Sequence, residues 1–287
     1  MRILLTGRNG QVGWELERAL PAPGEVIATD RGTLDLADAD AIRRVVRETK
    51  PDVIVNAAAY NAVDKAESEV ELALQINAVA PGVLADEAKK LDALLVHYST
   101  DYVFDGLKRT PYVEDDAPNP LSVYGRSKLE GERATLASRC RGVVLRTSWV
   151  YAPRGRNFFL AIAKKAKAGE SLRVVSDQTG VPNTAAFIAE MTLKLLGNSR
   201  IQKQVETYHL SATGPATWHD FAVEIVKRLR LDVPVAAIRT QDYAAIARRP
   251  ACAVLESGKL AREFDVSLPA WQTLLDDPIA NLLESAS

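Results

Sequence analysis

The stretch Gly7-Arg8-Asn9-Gly10-Gln11-Val12-Gly13 decides the fold of this chain. It directly follows the apolar run Ile3–Leu5 and precedes a segment whose apolar residues have helical spacing. In such a turn Gly7 allows a tight bend, Gly10 allows close approach to a diphosphate, and Gly13 lets the helix lie close on the sheet. The free N–H groups of the helix's first turn attract negative charge. The turn therefore predicts a dinucleotide site, although its Gly-x-x-Gly-x-x-Gly spacing is wider than the usual Gly-x-Gly-x-x-Gly.

Apolar runs rich in β-forming residues alternate with amphipathic stretches through the first half of the chain. The predicted strands are Ile3–Leu5, Val26–Ala28, Val53–Asn56, Ala93–Tyr98 and Gly142–Arg146. The predicted helices cover residues 12–20, 39–50, 68–91 and 121–138. This alternation predicts an α/β fold with a doubly wound parallel sheet of the Rossmann type, whose ligand lies at the carboxyl ends of the strands.

The pattern changes after about residue 152, where the predicted elements become shorter and more varied. We therefore expect a smaller C-terminal substrate-binding lobe. Residues 1–150 plus about 183–210 are assigned to the dinucleotide-binding domain, and about 151–182 plus 211–287 to the lobe.

Composition limits the classes of partner. The 287 residues include 36 basic and 37 acidic side chains and carry a formal net charge of −1, so nucleic acid is not an expected partner. Cys140 and Cys252 lie far apart, and neither they nor the three histidines have the spacing of metal ligands, so no metal site is predicted. We expect no signal peptide before the first strand and no membrane span, which predicts a cytoplasmic protein.

The ends of the second and third predicted strands supply further candidate cofactor contacts. Asp30 lies roughly 20 residues beyond the glycine turn, where a carboxylate accepts from a ribose 2′-OH, and it favours NADH over NADPH. Two alternatives stay open: Asp30 caps a turn, or Arg31 stacks on adenine or pairs with a 2′-phosphate. Asp35-Leu36 lies where a loop could touch the adenine ring. The third strand ends with Asn56-Ala57-Ala58-Ala59-Tyr60, whose small residues allow either close backbone approach to a cofactor or plain close packing.

Tyr124 and Lys128 form the pair with the clearest mechanism. They are four residues apart in a predicted helix and so share a face. An ammonium near a phenol lowers the phenol's pKa, and a tyrosine adjusted in this way exchanges a proton near neutral pH. At the end of the fourth strand, Ser99 and Thr100 offer hydroxyls to a carbonyl oxygen, of which strand alternation lets one point inward.

The glycine turn, the hydroxyl and the Tyr/Lys pair, in this order, resemble the extended short-chain dehydrogenase/reductase superfamily. Further motifs are similar to those of the dTDP-4-dehydrorhamnose reductase family through nearly the whole chain. These motifs are Gly7-x-x-Gly10-Gln11-Val12-Gly13, Asn56-Ala57-Ala58-Ala59-Tyr60, Ala62-Val63-Asp64-Lys65-Ala66-Glu67, Ser99-Thr100-Asp101-Tyr102-Val103-Phe104, Arg146-Thr147-Ser148-Trp149-Val150-Tyr151 and Asp177-Gln178-x-Gly180-x-Pro182.

The resemblance implies NAD(P)H-dependent reduction of the C4 keto group of dTDP-4-dehydro-6-deoxy-L-mannose to dTDP-L-rhamnose. By that resemblance Tyr124 is the proton donor, Lys128 adjusts its pKa and anchors the cofactor ribose, and Thr100 binds the reacting carbonyl. Asp101 and Trp149 would contact the sugar nucleotide. The turn residues, Gly7, Gly10, Gln11, Val12 and Gly13, would contact the dinucleotide.

Two segments depart from the family pattern and leave the substrate less defined than the chemistry. Asn183 stands before Thr184, and Ala251-Cys252 follows Arg249-Pro250 where the family often has Asn and Ser. Some family members form Mg²⁺-dependent homodimers through glutamates; Glu15 and Glu190 match in place, but separated glutamates are more often surface charges, so the sequence alone does not support Mg²⁺.

Other functions remain open at this point. A different nucleotide-sugar 4-ketoreductase or an epimerase of the superfamily would carry the same residues. A dehydratase usually has Asp and Glu after its threonine, whereas Tyr102 follows Asp101 here. A non-catalytic regulatory subunit, resembling that of methionine adenosyltransferase, is the alternative outside catalysis.

Overall fold

The computed structural model describes residues 1–20, 25–202 and 204–284. The strands are β1 (Arg2–Thr6), β2 (Glu25–Thr29), β3 (Val53–Asn56), β4 (Leu94–Thr100), β5 (Arg141–Thr147), β6 (Val150–Tyr151), β7 (Leu172–Val175), β8 (Thr179–Gly180), β9 (Asn183–Thr184), β10 (Glu206–His209), β11 (Ala216–Thr217) and β12 (Val235–Ile238). The α-helices are α1 (Gln11–Ala19), α2 (Ala39–Thr49), α3 (Val63–Ala66), α4 (Val70–Leu74), α5 (Ala80–Lys90), α6 (Val123–Ser138), α7 (Phe158–Lys167), α8 (Ala185–Leu196), α9 (Trp218–Arg228), α10 (Gly258–Phe264) and α11 (Asp276–Glu284).

A six-stranded sheet in the order β10-β5-β4-β3-β1-β2 forms the centre, and all of its neighbouring strands are parallel. The apolar runs of β1, β3 and β4 are buried on both faces, as a sheet covered by helices requires. The chain order reverses at β1, which pairs with β2 on one side and β3 on the other. A doubly wound sheet binds its ligand at the carboxyl ends beside such a reversal, so the predicted fold class is confirmed and the site is placed there.

Alternate residues of the strands pack into two separate layers. On one face Ile3 and Leu5 pack with residues of α1 and α8, and on the other face Leu4 packs with residues of α2 and α5. The first layer is continuous with the apolar residues of α7 and α9, so the C-terminal segments share a core with the sheet. Small two-stranded sheets, β6-β9, β7-β12 and β8-β11, lie outside the central sheet. The division into two domains stays a prediction.

The helix predicted over residues 68–91 is interrupted. It consists of α4, a π-helical turn over Gln75–Val79, and α5. Pro81 has no N–H to donate to the carbonyl of Asn77 four residues earlier, so the regular hydrogen-bond ladder cannot continue. A Cβ on Gly131 would lie 2.0 Å from that same carbonyl oxygen, so α6 packs directly on the π turn.

Candidate active site

The glycine turn between β1 and α1 forms a cradle of backbone atoms. Gly7 has a φ of +75°, and a Cβ there would lie 2.8 Å from Ala58 N and Cα. A Cβ on Gly13 would lie 2.1 Å from the carbonyl oxygen of Gly7. Gly10 is the N-cap of α1, and no side chain caps the helix. The first-turn N–H groups therefore lack a side-chain acceptor, and the cradle fits the diphosphate of a dinucleotide.

Asp30, at the end of β2, is engaged in a turn. Its carboxylate accepts from the backbone N–H groups of Gly32 (3.0 Å) and Thr33 (3.1 Å) and from Nδ2 of Asn9 (3.0 Å). The hydrogen bonds, that of Thr33 foremost, lower the pKa of Asp30. Arg31 is exposed beside it, with Nε 3.7 Å from a carboxylate oxygen of Asp35. The structure thus realises the turn-capping alternative for Asp30, and its contact with a ribose stays a prediction.

The remaining candidate cofactor residues surround the turn in different ways. Ala58 lies against Gly7, Ala59 is exposed, and Tyr60 donates to Glu69, which raises the pKa of the Tyr60 phenol to about 12. Leu36 is buried in the core layer with α2. Its contact with adenine stays a prediction.

Gln11 and Val12 connect the turn to other parts of the chain. Gln11 Nε2 donates to the carbonyl of Val150 (3.3 Å), and Gln11 Oε1 accepts from Asn157 (2.7 Å). Val12 packs against the core layer that holds α1. The glycine turn is thereby tied to the residues that follow Trp149.

Thr100 and Tyr124 meet at the carboxyl edge of the sheet. Thr100 is the last residue of β4, and Tyr124 lies in the first turn of α6, where Ser122 caps the helix by accepting from Gly125 N (3.2 Å). The Thr100 hydroxyl lies close enough to the Tyr124 phenol to lower its pKa. Thr100 Oγ1 also lies 3.0 Å from Asp101 Oδ1, to which it donates. Ser99 is buried with no partner for its hydroxyl among the described residues, so Thr100 is the hydroxyl that the strand presents to Tyr124.

Lys128 lies one turn further along α6 and is 3% exposed. Its Nζ donates to the backbone carbonyl of Tyr98 (2.6 Å). Burial lowers the pKa of Lys128 to about 8, and the charge of Glu132 partly opposes that effect. Thr100, Tyr124 and Lys128 therefore belong to one site between β4 and α6.

The pKa of the Tyr124 phenol is raised, whereas the sequence predicted that it would be lowered. Burial is the main cause of the rise to about 12; the neighbouring Thr100 hydroxyl lowers the pKa, and the charge of Asp101 raises it. The Lys128 ammonium is held by the Tyr98 carbonyl. A phenol with this pKa is protonated at neutral pH and is thus suited to donate a proton.

Asp101 and Trp149 flank these groups differently. Asp101 is 2% exposed, and burial raises its pKa to about 7. Trp149, two residues beyond β5, is half-buried with a φ of +44°, and its ring stacks on Trp218 with centroids 3.6 Å apart. A Cβ on Gly180 would lie 2.5 Å from the Trp149 ring, so only glycine fits there. Contact of either residue with a sugar stays a prediction.

Sequence reasoning missed a connection from the C-terminal segment to Tyr124. Arg249 donates to both carboxylate oxygens of Asp64 (3.2 and 3.0 Å), and its charge acts on the Tyr102 phenol. The Tyr102 ring packs edge-on against that of Tyr124, with centroids 5.7 Å apart. Asp64 and Arg249 both stood in segments compared with the family pattern, but the spacing of residues along the chain does not show that these two side chains pair.

Among the described residues, no group of three or more His, Cys, Asp or Glu side chains could hold a metal ion. Glu190 pairs with Lys194 (2.8 Å). No helix in the described ranges is long and apolar enough to cross a membrane.

A doubly wound sheet with a glycine cradle at its topological reversal, and Thr, Tyr and Lys side chains at its carboxyl edge, defines a nucleotide-binding oxidoreductase of the short-chain dehydrogenase/reductase type. Comparison with known proteins narrows the class. The family described as "RmlD substrate binding domain" matches residues 1–284. In an alignment of 297 positions, the chain is 42% identical to a dTDP-4-dehydrorhamnose reductase of Burkholderia thailandensis, with 99% of each chain covered.

Solved structures agree with this comparison. A dTDP-4-dehydrorhamnose reductase from Clostridium acetobutylicum superposes with a TM-score of 0.94 at 37% identity, covering 99% of this chain and 100% of the other. One from Bacillus anthracis in complex with NADP superposes with a TM-score of 0.91 at 32% identity, covering 99% of each chain. The chain belongs to the dTDP-4-dehydrorhamnose reductase family.

Proposed function

We propose that this protein reduces the C4 keto group of dTDP-4-dehydro-6-deoxy-L-mannose to give dTDP-L-rhamnose, with NADPH or NADH as the reductant. The observation that carries the proposal is the placement of Thr100, Tyr124 and Lys128 between the end of β4 and the start of α6, at the same edge of the sheet as the glycine cradle. Relatives that carry the name of this activity cover nearly the full chain and support the substrate assignment.

The cofactor is held by the first half of the chain. The cradle of Gly7, Gly10 and Gly13 and the first turn of α1 bind the diphosphate. Asp30 or Arg31 faces the adenine ribose, and Lys128 anchors the nicotinamide ribose. The reduced nicotinamide, when bound, supplies the hydride that reaches C4 of the sugar.

The side chains at the carboxyl edge stabilise the charge that develops on the substrate oxygen. As C4 gains hydride, its carbonyl oxygen becomes an alkoxide, which is far more basic than a phenol. Thr100 and Tyr124 donate hydrogen bonds to this oxygen, and Tyr124 transfers its proton to it. Because burial keeps the Tyr124 phenol protonated at neutral pH, the residue enters the reaction in the form that a reductase needs. The Lys128 ammonium stabilises the tyrosinate that remains.

The residues beyond Thr100 and β5 form the sugar side of the site. Asp101, protonated in part near neutral pH, offers a hydrogen bond to a sugar hydroxyl. Trp149, supported by its stack on Trp218, gives an apolar surface for the deoxysugar. We also propose a cytoplasmic enzyme, in line with its two unpaired cysteines, Cys140 and Cys252. A homodimer is the proposed assembly.

Tyr124→Phe tests the proposed role of the phenol. The substitution removes the proton donor but leaves the ring, so turnover of the dTDP-4-keto sugar should fall by at least about a thousandfold. The loss of reduced-nicotinamide absorbance measures turnover, and NMR identifies the product sugar. NADPH affinity, measured by cofactor fluorescence, should change less than about threefold. Tyr208→Phe is the matched control, because Tyr208 is also a buried tyrosine but its hydroxyl donates to Glu263, away from the site. Turnover that survives in Tyr124→Phe would contradict the role, and a wild-type product other than dTDP-L-rhamnose would contradict the substrate assignment.

A further inference from the structure

A buried ion pair lies behind the proposed catalytic groups. Arg146 Nε and Nη2 donate to the two carboxylate oxygens of Glu132 at 2.9 and 2.7 Å. The side chains are 5% and 1% exposed. Burying two charges costs free energy that their attraction repays only with good geometry, and apolar residues of similar size are often as stabilising. A gain in folding stability is therefore a weak explanation for the presence of this buried pair.

Glu132 stands on the same face of α6 as the proposed catalytic residues. It follows Lys128 by four residues and Tyr124 by eight, so the three form one stripe along the helix. Its charge acts on Lys128, whose pKa it raises against the larger opposing effect of burial. Glu132 is therefore the member of this stripe that connects α6 to Arg146 on β5.

Arg146 lies on the neighbouring strand, one residue before the end of β5. In the sheet it pairs with Ser99, and the next residue, Thr147, pairs with Thr100. Its guanidinium lies over the ring of Phe104, 5.1 Å from the centroid. Phe104 ends the short 3-10 helix that begins after Thr100, and Thr100 caps that helix by accepting from Tyr102 N. Arg146 therefore contacts the segment that holds Thr100.

The groups around the pair and around Lys128 come from several elements. His209 on β10 lies 3.5 Å from Arg146 Nη1, and burial lowers its pKa to about 3, so it is neutral. His97 on β4 is also neutral, because burial and then the charge of Lys128 lower its pKa. Asp101 follows β4, and Tyr124 lies on α6 itself. Glu132 is the residue whose negative charge raises the pKa of Lys128, so removing that charge should lower the Lys128 pKa.

We propose that the Glu132–Arg146 pair is a positioning device for the proposed reduction, holding the Tyr124 and Lys128 helix in register with the Thr100 segment. This inference rests on the proposed function. Neither residue touches the reacting atoms; Glu132 acts through Lys128 and Tyr124, and Arg146 acts through Phe104 and Glu132. Sub-ångström placement of such groups is what the rate of an oriented reaction depends on.

Glu132→Gln keeps the size of the side chain and removes its charge. We expect kcat to fall about 10- to 100-fold. The basic limb of the kcat–pH profile should move to lower pH, since Lys128 loses the charge that keeps it protonated. Glu87→Gln is the matched control: Glu87 also accepts two hydrogen bonds from an arginine, Arg47, and is 2% exposed, but it lies on α5 away from the site. This control should lower the thermal midpoint and leave kcat and its pH profile unchanged in folded protein.

The double variant Glu132→Met, Arg146→Met removes both members of the ion pair, so neither is left buried without the other, and this guards against simple misfolding. It should fold and show the same loss of kcat and the same displaced basic limb. Unchanged kcat and pH profile in folded Glu132→Gln would overturn the proposal. So would a double variant that cannot fold, because the pair would then be required for the structure itself.

NADPH binding separates this proposal from the proposed function. Because Lys128 would also anchor a ribose, NADPH affinity in Glu132→Gln should decline at lower pH than in the wild type. If the wild type binds NADPH but reduces no dTDP-4-keto sugar, the proposed function fails, and the positioning role is judged by this binding profile. An identical pH dependence of NADPH affinity in both proteins would then overturn it.

Discussion

The Asp101 carboxyl, next to the proposed catalytic threonine, is costly to ionise because it is buried. It is 2% exposed, its Oδ1 accepts from Thr100, and its Oδ2 has no hydrogen-bond partner among the described residues. Burial raises its pKa from an ordinary 3.8 to about 7. A carboxyl whose pKa is raised by folding stabilises the folded protein fully below its unfolded pKa. This contribution to the free energy of unfolding is lost as the pH rises through the folded-state pKa of about 7.

Asp101→Asn should remove this pH dependence. The wild type should lose about 2 kcal/mol of its free energy of unfolding between about pH 5 and pH 8 through this group, whereas the amide does not titrate. The stability of the variant relative to the wild type should therefore improve with rising pH. Urea unfolding at the two pH values measures the difference. A constant difference between the proteins would show that the Asp101 pKa is not raised.

Sequence predicted which residues assemble at the site better than it predicted their ionisation. Thr100 at a strand end and Tyr124 and Lys128 one helical turn apart follow from chain order, and the fold brings Thr100 to Tyr124. The direction of the Tyr124 pKa was wrong, because burial depends on the whole surrounding structure, whereas spacing shows only which charge lies nearby. The Glu132–Arg146 pair was missed for a related reason: its partners are on different elements.

At the scale of elements, the contact between the glycine turn and α1 determines where the helix's N-terminus points. Gly13 lies in α1, and its Cα faces the carbonyl of Gly7 so closely that a Cβ would sit 2.1 Å from the oxygen. Backbone cannot move aside as a flexible side chain does. Any residue larger than glycine at this position must shift the helix away from the turn.

Gly13→Ala should weaken NADPH binding by about tenfold or more, because the displaced helix no longer aims its first-turn N–H groups at the diphosphate. Cofactor fluorescence titration measures the dissociation constant. Gly197→Ala is the control, since a Cβ at the end of α8 would meet its nearest atom at 3.6 Å and its φ is −77°. Equal NADPH affinity in the Gly13→Ala protein would show that this helix end does not hold the cofactor.

Element bounds were predictable where burial determined them. The predicted strand Val53–Asn56 matches β3 in full, and the predicted helix over 39–50 differs from α2 by one residue. The helix α2 begins at Ala39 as predicted, because the Asp38 side chain caps it by accepting hydrogen bonds from the backbone N–H groups of Asp40 and Ala41. The π turn before Pro81 was not predicted, because it depends on packing against Gly131 as well as on local sequence.

At the scale of the whole molecule, a few polar contacts connect the C-terminal segments to the sheet unit around the site. Asp64, on α3, binds Arg249 through both carboxylate oxygens and accepts from Ala247 N (3.0 Å). Thr240, seven residues before Ala247, is fixed by hydrogen bonds to Asp177. The segment between these two anchors contains the exposed side chains of Tyr243 and Ile246. The Asp64 anchor therefore determines how this segment meets Tyr102 and, through it, Tyr124.

Asp64→Asn should raise the KM for the sugar nucleotide by about three- to tenfold, because the loosened Arg249 no longer holds Tyr102 against Tyr124. NADPH affinity should stay within about twofold, since neither Asp64 nor Arg249 belongs to the glycine turn between β1 and α1. Asp64 is 42% exposed, so the free energy of unfolding should fall by less than about 1 kcal/mol. Steady-state kinetics with each substrate varied in turn separates these effects, and Asp40→Asn, which breaks the exposed Arg43 pair, is the control. A rise in the NADPH KM with an unchanged sugar KM would show that this contact serves the cofactor side instead.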